Sequence, residues 1–112
     1  MLNVVDLSGN GKGIGLVGRT VVSTTLEAIG RTPSARIQGN FNHSLDGTFI
    51  ATLQLEKSYD NGLTWNPITA GGSVTTYTTP VEELYSEPEF GTLYCWNCTA
   101  YTSGIIIARI SQ

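Results

Sequence analysis

The stretch "GTFIATLQLEKSYD", from Gly47 to Asp60, alternates apolar and polar side chains with a period of two. Successive side chains of a β-strand point to opposite faces, so this pattern predicts a strand with one buried face. The predicted buried side chains are Phe49, Ala51, Leu53 and Leu55, with Ile50 as an exception on the polar side. A strand of this kind needs neighbouring strands and a second layer packed on its apolar face.

The rest of the chain shows the same kind of pattern and almost no helical periodicity. Only "TTLEAIGRT", Thr24 to Thr32, could form a turn or two of helix. Asp46-Gly47 and Asp60-Asn61-Gly62 are predicted hairpin turns, and Thr102-Ser103-Gly104 is predicted to separate two strands. The acidic segment "PVEELYSEPEFG" (residues 80–91) is predicted to be a connection. Seven to nine short strands predict an all-β fold: a single antiparallel β-sandwich domain, jelly-roll-like, formed by residues 1–112.

Residues 1–18, "MLNVVDLSGNGKGIGLVG", contain two apolar clusters separated by glycines. They are interpreted as an extended N-terminal arm that contacts a partner or, alternatively, as edge strands of the sandwich joined by a loop. The glycine spacing fits neither the P-loop nor the dinucleotide-binding pattern, so no phosphate cradle is expected. The apolar residues of the candidate arm are Leu2, Val4, Val5, Ile14, Leu16 and Val17.

Composition argues against several classes of partner. Charged residues make up only 13% of the chain and the net charge is −3, without a cluster of Lys or Arg. Nucleic-acid binding depends on a basic surface that displaces counterions, so no nucleic-acid partner is expected. No apolar run reaches the roughly 20 residues that span a bilayer, so no membrane partner is expected either.

The two cysteines of "CWNC", Cys95 and Cys98, invite a metal or redox interpretation. Residues three apart on a strand point to opposite faces and lie too far apart for a disulfide. A structural zinc site needs four ligands, and His43 is the only other obvious donor. The sequence therefore predicts buried or half-buried thiols and no cofactor or metal.

The stretch "SYDNGLTW" matches S-x-D-x-G-x-T-W, the Asp box that recurs in sialidases and other β-propellers. In this turn the carboxylate and hydroxyl groups bind backbone amides, the glycine supplies a positive φ and the tryptophan packs back on the strands. A sialidase would need several such blades and a cluster of arginines, whereas this chain has one box. The motif predicts a structural turn rather than a catalytic site, and the chain is not expected to be an enzyme. The turn residues are Ser58, Asp60, Gly62, Thr64 and Trp65.

Two longer segments carry a resemblance to a known family. The first is "IQGNFNHSLDGTFIATLQLEKSYDNGLTW", and the second is "EPEFGTLYCWNCTAYTSGIIIARISQ", which ends the chain. Together they cover residues 37–66 and 87–112, about half of the sequence. They are similar to the small capsid staple, or decoration, proteins of short-tailed bacteriophages of the epsilon15 type.

This resemblance implies a jelly-roll-like virion protein that binds the outside of an icosahedral capsid and staples neighbouring major capsid subunits together. It implies a chain made in the host bacterial cytoplasm, located on the outer capsid surface and without a small-molecule substrate. A homodimer is expected, since two-fold association is the commonest closed symmetry. The alternative is a carbohydrate-binding module of a head or tail fibre that stacks sugars on exposed aromatic rings. The candidate rings are Tyr77, Tyr85, Phe90, Tyr94, Trp96 and Tyr101.

Overall fold

The computed structural model describes residues 21–112, which fold entirely from antiparallel strands. No helix occurs within this range, so the predicted all-β antiparallel fold is confirmed. The candidate arm, residues 1–18, lies outside the described residues. The strands are β1 (Val21–Leu26), β2 (Gly30–Arg31), β3 (Ala35–Ser58), β4 (Asn66–Pro67), β5 (Thr69–Ala70), β6 (Ser73–Val74) and β7 (Val81–Ser111).

Two very long strands, β3 and β7, form the scaffold and run through both layers of a sandwich. In the first layer, residues 39–45 of β3 lie between two stretches of β7, residues 81–87 on one side and residues 106–111 on the other. β1 pairs with the far side of residues 106–111. In the second layer, residues 93–98 of β7 pair with residues 53–58 of β3. The segment from β2 to the start of β3 pairs on the opposite side of residues 92–98, and β4 pairs with β3 at the other edge.

The core lies between these two layers and is formed almost entirely by β3 and β7. Its fully buried side chains alternate along both strands, as period-two patterning requires. Phe49 is half-buried at the margin of the core, and Ile50 is exposed. The core residues are Ala35, Ile37, Phe41, Leu45, Ala51, Leu53, Leu55, Tyr94, Trp96, Cys98, Ile106, Ala108 and Ile110.

The predicted hairpin turn at Asp46-Gly47 and the predicted separation of two strands at Thr102-Ser103-Gly104 are both wrong. β3 continues through Gly47 and β7 continues through Gly104, and the two strands pair with each other across this region. Both glycines have positive φ values, 99° and 98°. A side chain on Gly47 would overlap the carbonyl of Ile105, and one on Gly104 would overlap the carbonyl of Thr48. The glycines therefore permit a close crossing of two continuous strands where they pass between layers.

Two other local predictions are also corrected. The segment Thr24–Thr32 contains the end of β1, a bend and β2, and no helix. The acidic segment is largely strand rather than connection, since residues 81–87 pair with β3. The hairpin predicted at Asp60-Asn61-Gly62 is present, because β4 returns to pair with Glu56 and Lys57. The jelly-roll connectivity stays a prediction.

Candidate binding surface at the Asp-box turn

The Asp-box turn is held by two side chains that bind its backbone. The Oγ atom of Ser58 accepts hydrogen bonds from the N–H groups of Gly62 (2.8 Å) and Asp60 (3.3 Å). The Ser58 hydroxyl in turn donates to Oδ1 of Asp60 at 2.7 Å. The same oxygen accepts the N–H of Thr64 at 2.8 Å. Four contacts thus fix the path of the chain from residue 58 to residue 64.

These contacts have an electrostatic consequence for Asp60. Hydrogen bonds from the Ser58 hydroxyl and from Thr64 favour its charged form and lower the pKa of the Asp60 carboxyl to about 2. The turn therefore holds a carboxylate across the whole physiological pH range. Because Asp60 is exposed, the carboxylate organises the turn from its solvent side.

The backbone and the tryptophan complete the turn. Asn61 and Gly62 have φ values of 62° and 92°, in the region that Asn and Gly tolerate best. Trp65 is half-buried. Its ring and the side chain of Leu93 lie within 4 Å of the position that a Cβ on Gly62 would occupy. The indole therefore packs beneath the turn, and all of these groups have structural roles.

Arg36 ties the Asp-box turn to Gly91 of β7. One guanidinium nitrogen donates to Oδ1 of Asn61 and the other to the carbonyl of Gly91, both at 2.6 Å. Gly91 follows Phe90 in the stretch of β7 between residues 81–87 and residues 92–98. The Asp-box turn and this stretch therefore lie at the same end of the molecule and are held together by one side chain.

A second set of contacts supports this end from β3. The ammonium of Lys57 lies 3.5 Å from Oε1 of Glu87 and 5.0 Å from the centre of the Tyr59 ring. Glu87 is buried and also accepts the hydroxyl of Tyr94 at 2.6 Å and the N–H of Glu89 at 2.9 Å. Burial raises the Glu87 pKa, but these hydrogen bonds and Lys57 outweigh it and leave the pKa below its ordinary value.

Three large apolar side chains project into solvent from these supported segments. Leu63 on the turn is 88% exposed, Phe90 beside Gly91 is 79% exposed and Tyr59 is 55% exposed. Apolar groups grouped at one end of a small protein are typical of a contact surface for another protein. We call Tyr59, Leu63 and Phe90 the Asp-box surface.

The sequence did not identify this surface in advance. Tyr59 and Leu63 occupy the variable positions of the Asp box, where the motif makes no demand. Large apolar residues at these two variable positions are the feature of the sequence that could have indicated the surface. The rest of the turn is strongly constrained, so it presents such residues rigidly. For Phe90 the sequence predicts only a place in an aromatic platform.

The structure does not assemble that platform. Tyr94 and Trp96 are completely buried in the core, where Tyr94 packs on Phe41 with ring centres 4.7 Å apart. Tyr77 and Trp96 meet edge to face at 5.3 Å. Of the six candidate rings, only Phe90 is largely exposed. Sugar stacking on a shared face of these rings is therefore not available.

The two thiols lie on opposite faces of β7, as the spacing predicts. Cys98 belongs to the core, whereas Cys95 lies opposite Glu56 on the other face. Both are free and buried. Burial raises the pKa of Cys95 to about 12, and burial also raises the pKa of Cys98. Such thiols are protonated and poorly reactive at neutral pH.

The buried Glu56 carboxylate is held by three neighbours. The Arg31 guanidinium lies 2.7 Å from Oε1, while the amides of Asn97 and Gln54 donate to Oε2. Burial alone would raise the pKa of Glu56, but these contacts together lower it. Both carboxylate oxygens are therefore paired, and this pairing explains why a charged residue is accommodated in the interior of a strand.

An open groove of about 450 Å³ lies on the outer side of the first layer. Its lining includes Asn42, Ser44, Asp46, Glu82 and Arg109. Within residues 21–112 no three His, Cys, Asp or Glu side chains converge as metal ligands. The three arginines of this range are dispersed between the Glu56 contact, the Asp-box turn and this groove.

In the part of the chain that the structure describes, no helix is long and apolar enough to cross a bilayer. Comparisons of the chain with protein-family models, curated proteins and solved structures found no match. The resemblance to phage staple proteins therefore rests on the sequence segments alone.

Proposed function

We propose that this chain is a non-enzymatic bacteriophage virion protein that binds the outside of an icosahedral capsid and staples neighbouring major capsid subunits together. In this proposal it is made in the host cytoplasm, acts on the outer capsid surface as a homodimer and takes neither a cofactor nor a small-molecule substrate. The proposal rests first on the two staple-like sequence segments. These segments correspond to most of β3 and most of β7, the two strands that build the scaffold.

The observation that carries the proposal is the Asp-box surface. Its apolar side chains project from backbone segments that hydrogen bonds of Ser58, Asp60 and Arg36 already hold in place. Ordering a loop on binding costs conformational entropy, so a surface that is ordered beforehand binds more tightly for the same contact area. Exposed aromatic and aliphatic groups of this kind serve as anchors in protein interfaces.

A stapling role suits this construction. A clamp resists separation of the subunits it joins only if the clamp itself does not deform, and the paired strands β3 and β7 connect the Asp-box surface to both layers. Many copies on one shell act together, so modest affinity at each contact is enough. The major capsid protein is the proposed partner.

The direct test is co-sedimentation of the purified protein with capsids that lack it. Leu63→Asp and Phe90→Asp should each reduce the bound fraction at least tenfold, because each buries a charge at the proposed contact. Ile50→Asp is the matched control, since Ile50 is 64% exposed but lies eight residues before the Asp box on β3. It should bind as the unaltered protein does.

A second experiment tests the consequence of binding. Capsids assembled without the protein should release their genome at lower temperature or lower external salt than complete particles. Equal survival of the two kinds of particle would contradict a stapling role. Loss of binding in all three Asp variants, including Ile50→Asp, would contradict the assignment of the Asp-box surface.

A further inference from the structure

Among residues 21–112, the first layer of the sandwich ends in two edge strands of very different character. One edge is residues 81–87, "VEELYSE", which includes Glu82, Glu83 and Glu87. The other is β1, "VVSTTL", which has no charged residue and no proline. Proteins usually protect edge strands with charges, prolines or bulges, because unpaired backbone groups attract a further strand. The β1 edge has none of these protections.

The geometry of β1 also suits the addition of a strand. Its six residues pair with β7 in unbroken register, from Val21 opposite Ser111 to Leu26 opposite Ile106. Within residues 21–112 no strand pairs with the other side of β1. Val21, Ile105 and Ile107 are all between 41% and 50% exposed, so the neighbouring outer surface carries apolar side chains, together with Arg109 opposite Ser23.

We infer that β1 is the contact through which two copies of this chain form a dimer, by antiparallel pairing of β1 with β1. This inference deepens the proposed function, because it names the interface of the proposed homodimer. The two-fold axis passes beside Thr24, so that Thr24 faces its own copy. Ser23 then lies opposite Thr25 of the partner, and Val22 lies opposite Leu26 of the partner.

Charge is the reason for choosing a second copy as the partner. A two-fold axis sets each residue near its counterpart, and like charges directly opposite each other destabilise a sheet. A symmetric pairing of residues 81–87 would gather Glu82, Glu83 and Glu87 of both copies along one seam, whereas pairing of β1 brings no charged side chains together. The register centred on Thr24 instead matches hydroxyl with hydroxyl and apolar with apolar side chains, which are favourable cross-strand pairs.

The test uses the full chain in the absence of capsids and measures mass by light scattering and sedimentation over the micromolar range. The unaltered protein should have twice the chain mass of 12.0 kDa. Ser23→Lys combined with Thr25→Lys should give the mass of one chain, because each ammonium faces another across the axis. Ser23→Lys combined with Thr25→Glu should restore the dimer, because each ammonium then faces a carboxylate.

Thr48→Lys combined with Ser103→Lys is the matched control. Both positions are exposed and lie outside β1, so the same added charge should leave the dimer intact. Near-ultraviolet circular dichroism verifies that every variant is folded.

A monomeric unaltered protein would overturn the inference, whether the edge is covered by the chain's own residues 1–20 or by another partner. A dimer that survives the double Lys substitution would also overturn it. Failure of the Lys/Glu pair to restore the dimer would overturn the register. None of these results depends on capsid binding, so they are distinct from a failure of the proposed stapling role.

Discussion

The Nε2 atom of His43 lies 3.1 Å from Oε1 of Glu83, at the edge of the first layer. That oxygen also accepts the hydroxyl of Tyr77 at 2.8 Å. A carboxylate can only accept hydrogen bonds, so the neutral imidazole is assigned its proton on Nε2. Its Nδ1 atom is buried and has no hydrogen-bond partner among the described residues. The aromatic rings of Phe41, Tyr77, Tyr85 and Trp96 surround the imidazole.

This arrangement predicts a loss of stability in mild acid. Burial lowers the pKa of His43 below its ordinary value of 6.5, and the contact with Glu83 offsets this only in part. The unfolded chain therefore takes up a proton near pH 6.5 while the folded chain does not. Between pH 7.5 and pH 5 the free energy of unfolding should therefore fall as the pH drops through 6.5. The slope for one proton is at most about 1.4 kcal/mol per pH unit.

Urea unfolding between pH 7.5 and pH 5 measures this slope, and the NMR titration of the imidazole measures its pKa directly. His43 is the chain's single histidine, so His43→Gln should flatten the pH dependence in that window. The pKa values of Glu83 and Glu87 are lowered below 4.5. Their contribution is therefore lost only at lower pH. An imidazole pKa at or above 6.5 in the folded protein would contradict the prediction.

Gly47 and Gly104 should tolerate no side chain. Alanine at either position would adopt an unfavourable positive φ and would also overlap a backbone carbonyl of the opposite strand. We expect each substitution to cost about 3 kcal/mol or more, measured by chemical unfolding. Gly72→Ala separates the two effects, because Gly72 has a φ of 85° but nothing within 4 Å of an added Cβ. That control should cost about 1–2 kcal/mol.

These two glycines also show where the sequence was informative and where it was not. Asp46-Gly47 and Thr102-Ser103-Gly104 were both predicted to interrupt a strand, and both glycines do have a positive φ. A glycine with a positive φ occurs either where the chain reverses direction or where two strands cross closely. Which of these two structures forms depends on a partner strand more than fifty residues away. Local patterns contain no information about that partner. The alternation from Ala51 to Leu55, by contrast, predicted the buried face because strand geometry alone determines it.

The candidate site, too, could be predicted from the sequence only in part. The sequence identified the residues that close the Asp-box turn, since their spacing is fixed by local hydrogen bonds. It did not reveal that Arg36 joins this turn to Gly91, because Arg36 and Gly91 are 55 residues apart in the chain. The strand from residue 81 was missed for a related reason. Its carboxylates suggest a solvated connection, but the buried partners of Glu83 and Glu87 come from elsewhere in the fold.

Both cysteines should be inert in the folded protein. Burial raises the pKa values of Cys95 and Cys98, which favours the protonated form of both thiols, and both lie out of reach of solvent. We expect no reaction with a disulfide reagent such as DTNB on the timescale of minutes, and two reactive thiols per chain in denaturant. Ser103→Cys, at an exposed position, should add one thiol that reacts at once. Rapid labelling of the unaltered native protein would contradict the burial of both groups.

Ser58 should connect the stability of the turn to binding. Its hydroxyl is completely buried and bonds the N–H of Gly62 and the carboxylate of Asp60. Ser58→Ala leaves buried polar groups unpaired, so we expect a cost of about 1–3 kcal/mol in unfolding free energy. The turn that presents Leu63 should also lose order, which predicts weaker capsid binding even where the variant remains folded.

The matched substitution is Ser86→Ala, because Ser86 is exposed on β7 and should change neither property measurably. Hydrogen exchange at the amides of Gly62 and Thr64 checks the loosening directly. These amides should exchange faster in Ser58→Ala while those of the core strands keep their protection, because local opening precedes global unfolding. Unchanged exchange at both amides together with weakened binding would show that Ser58 acts on the capsid other than through the order of the turn.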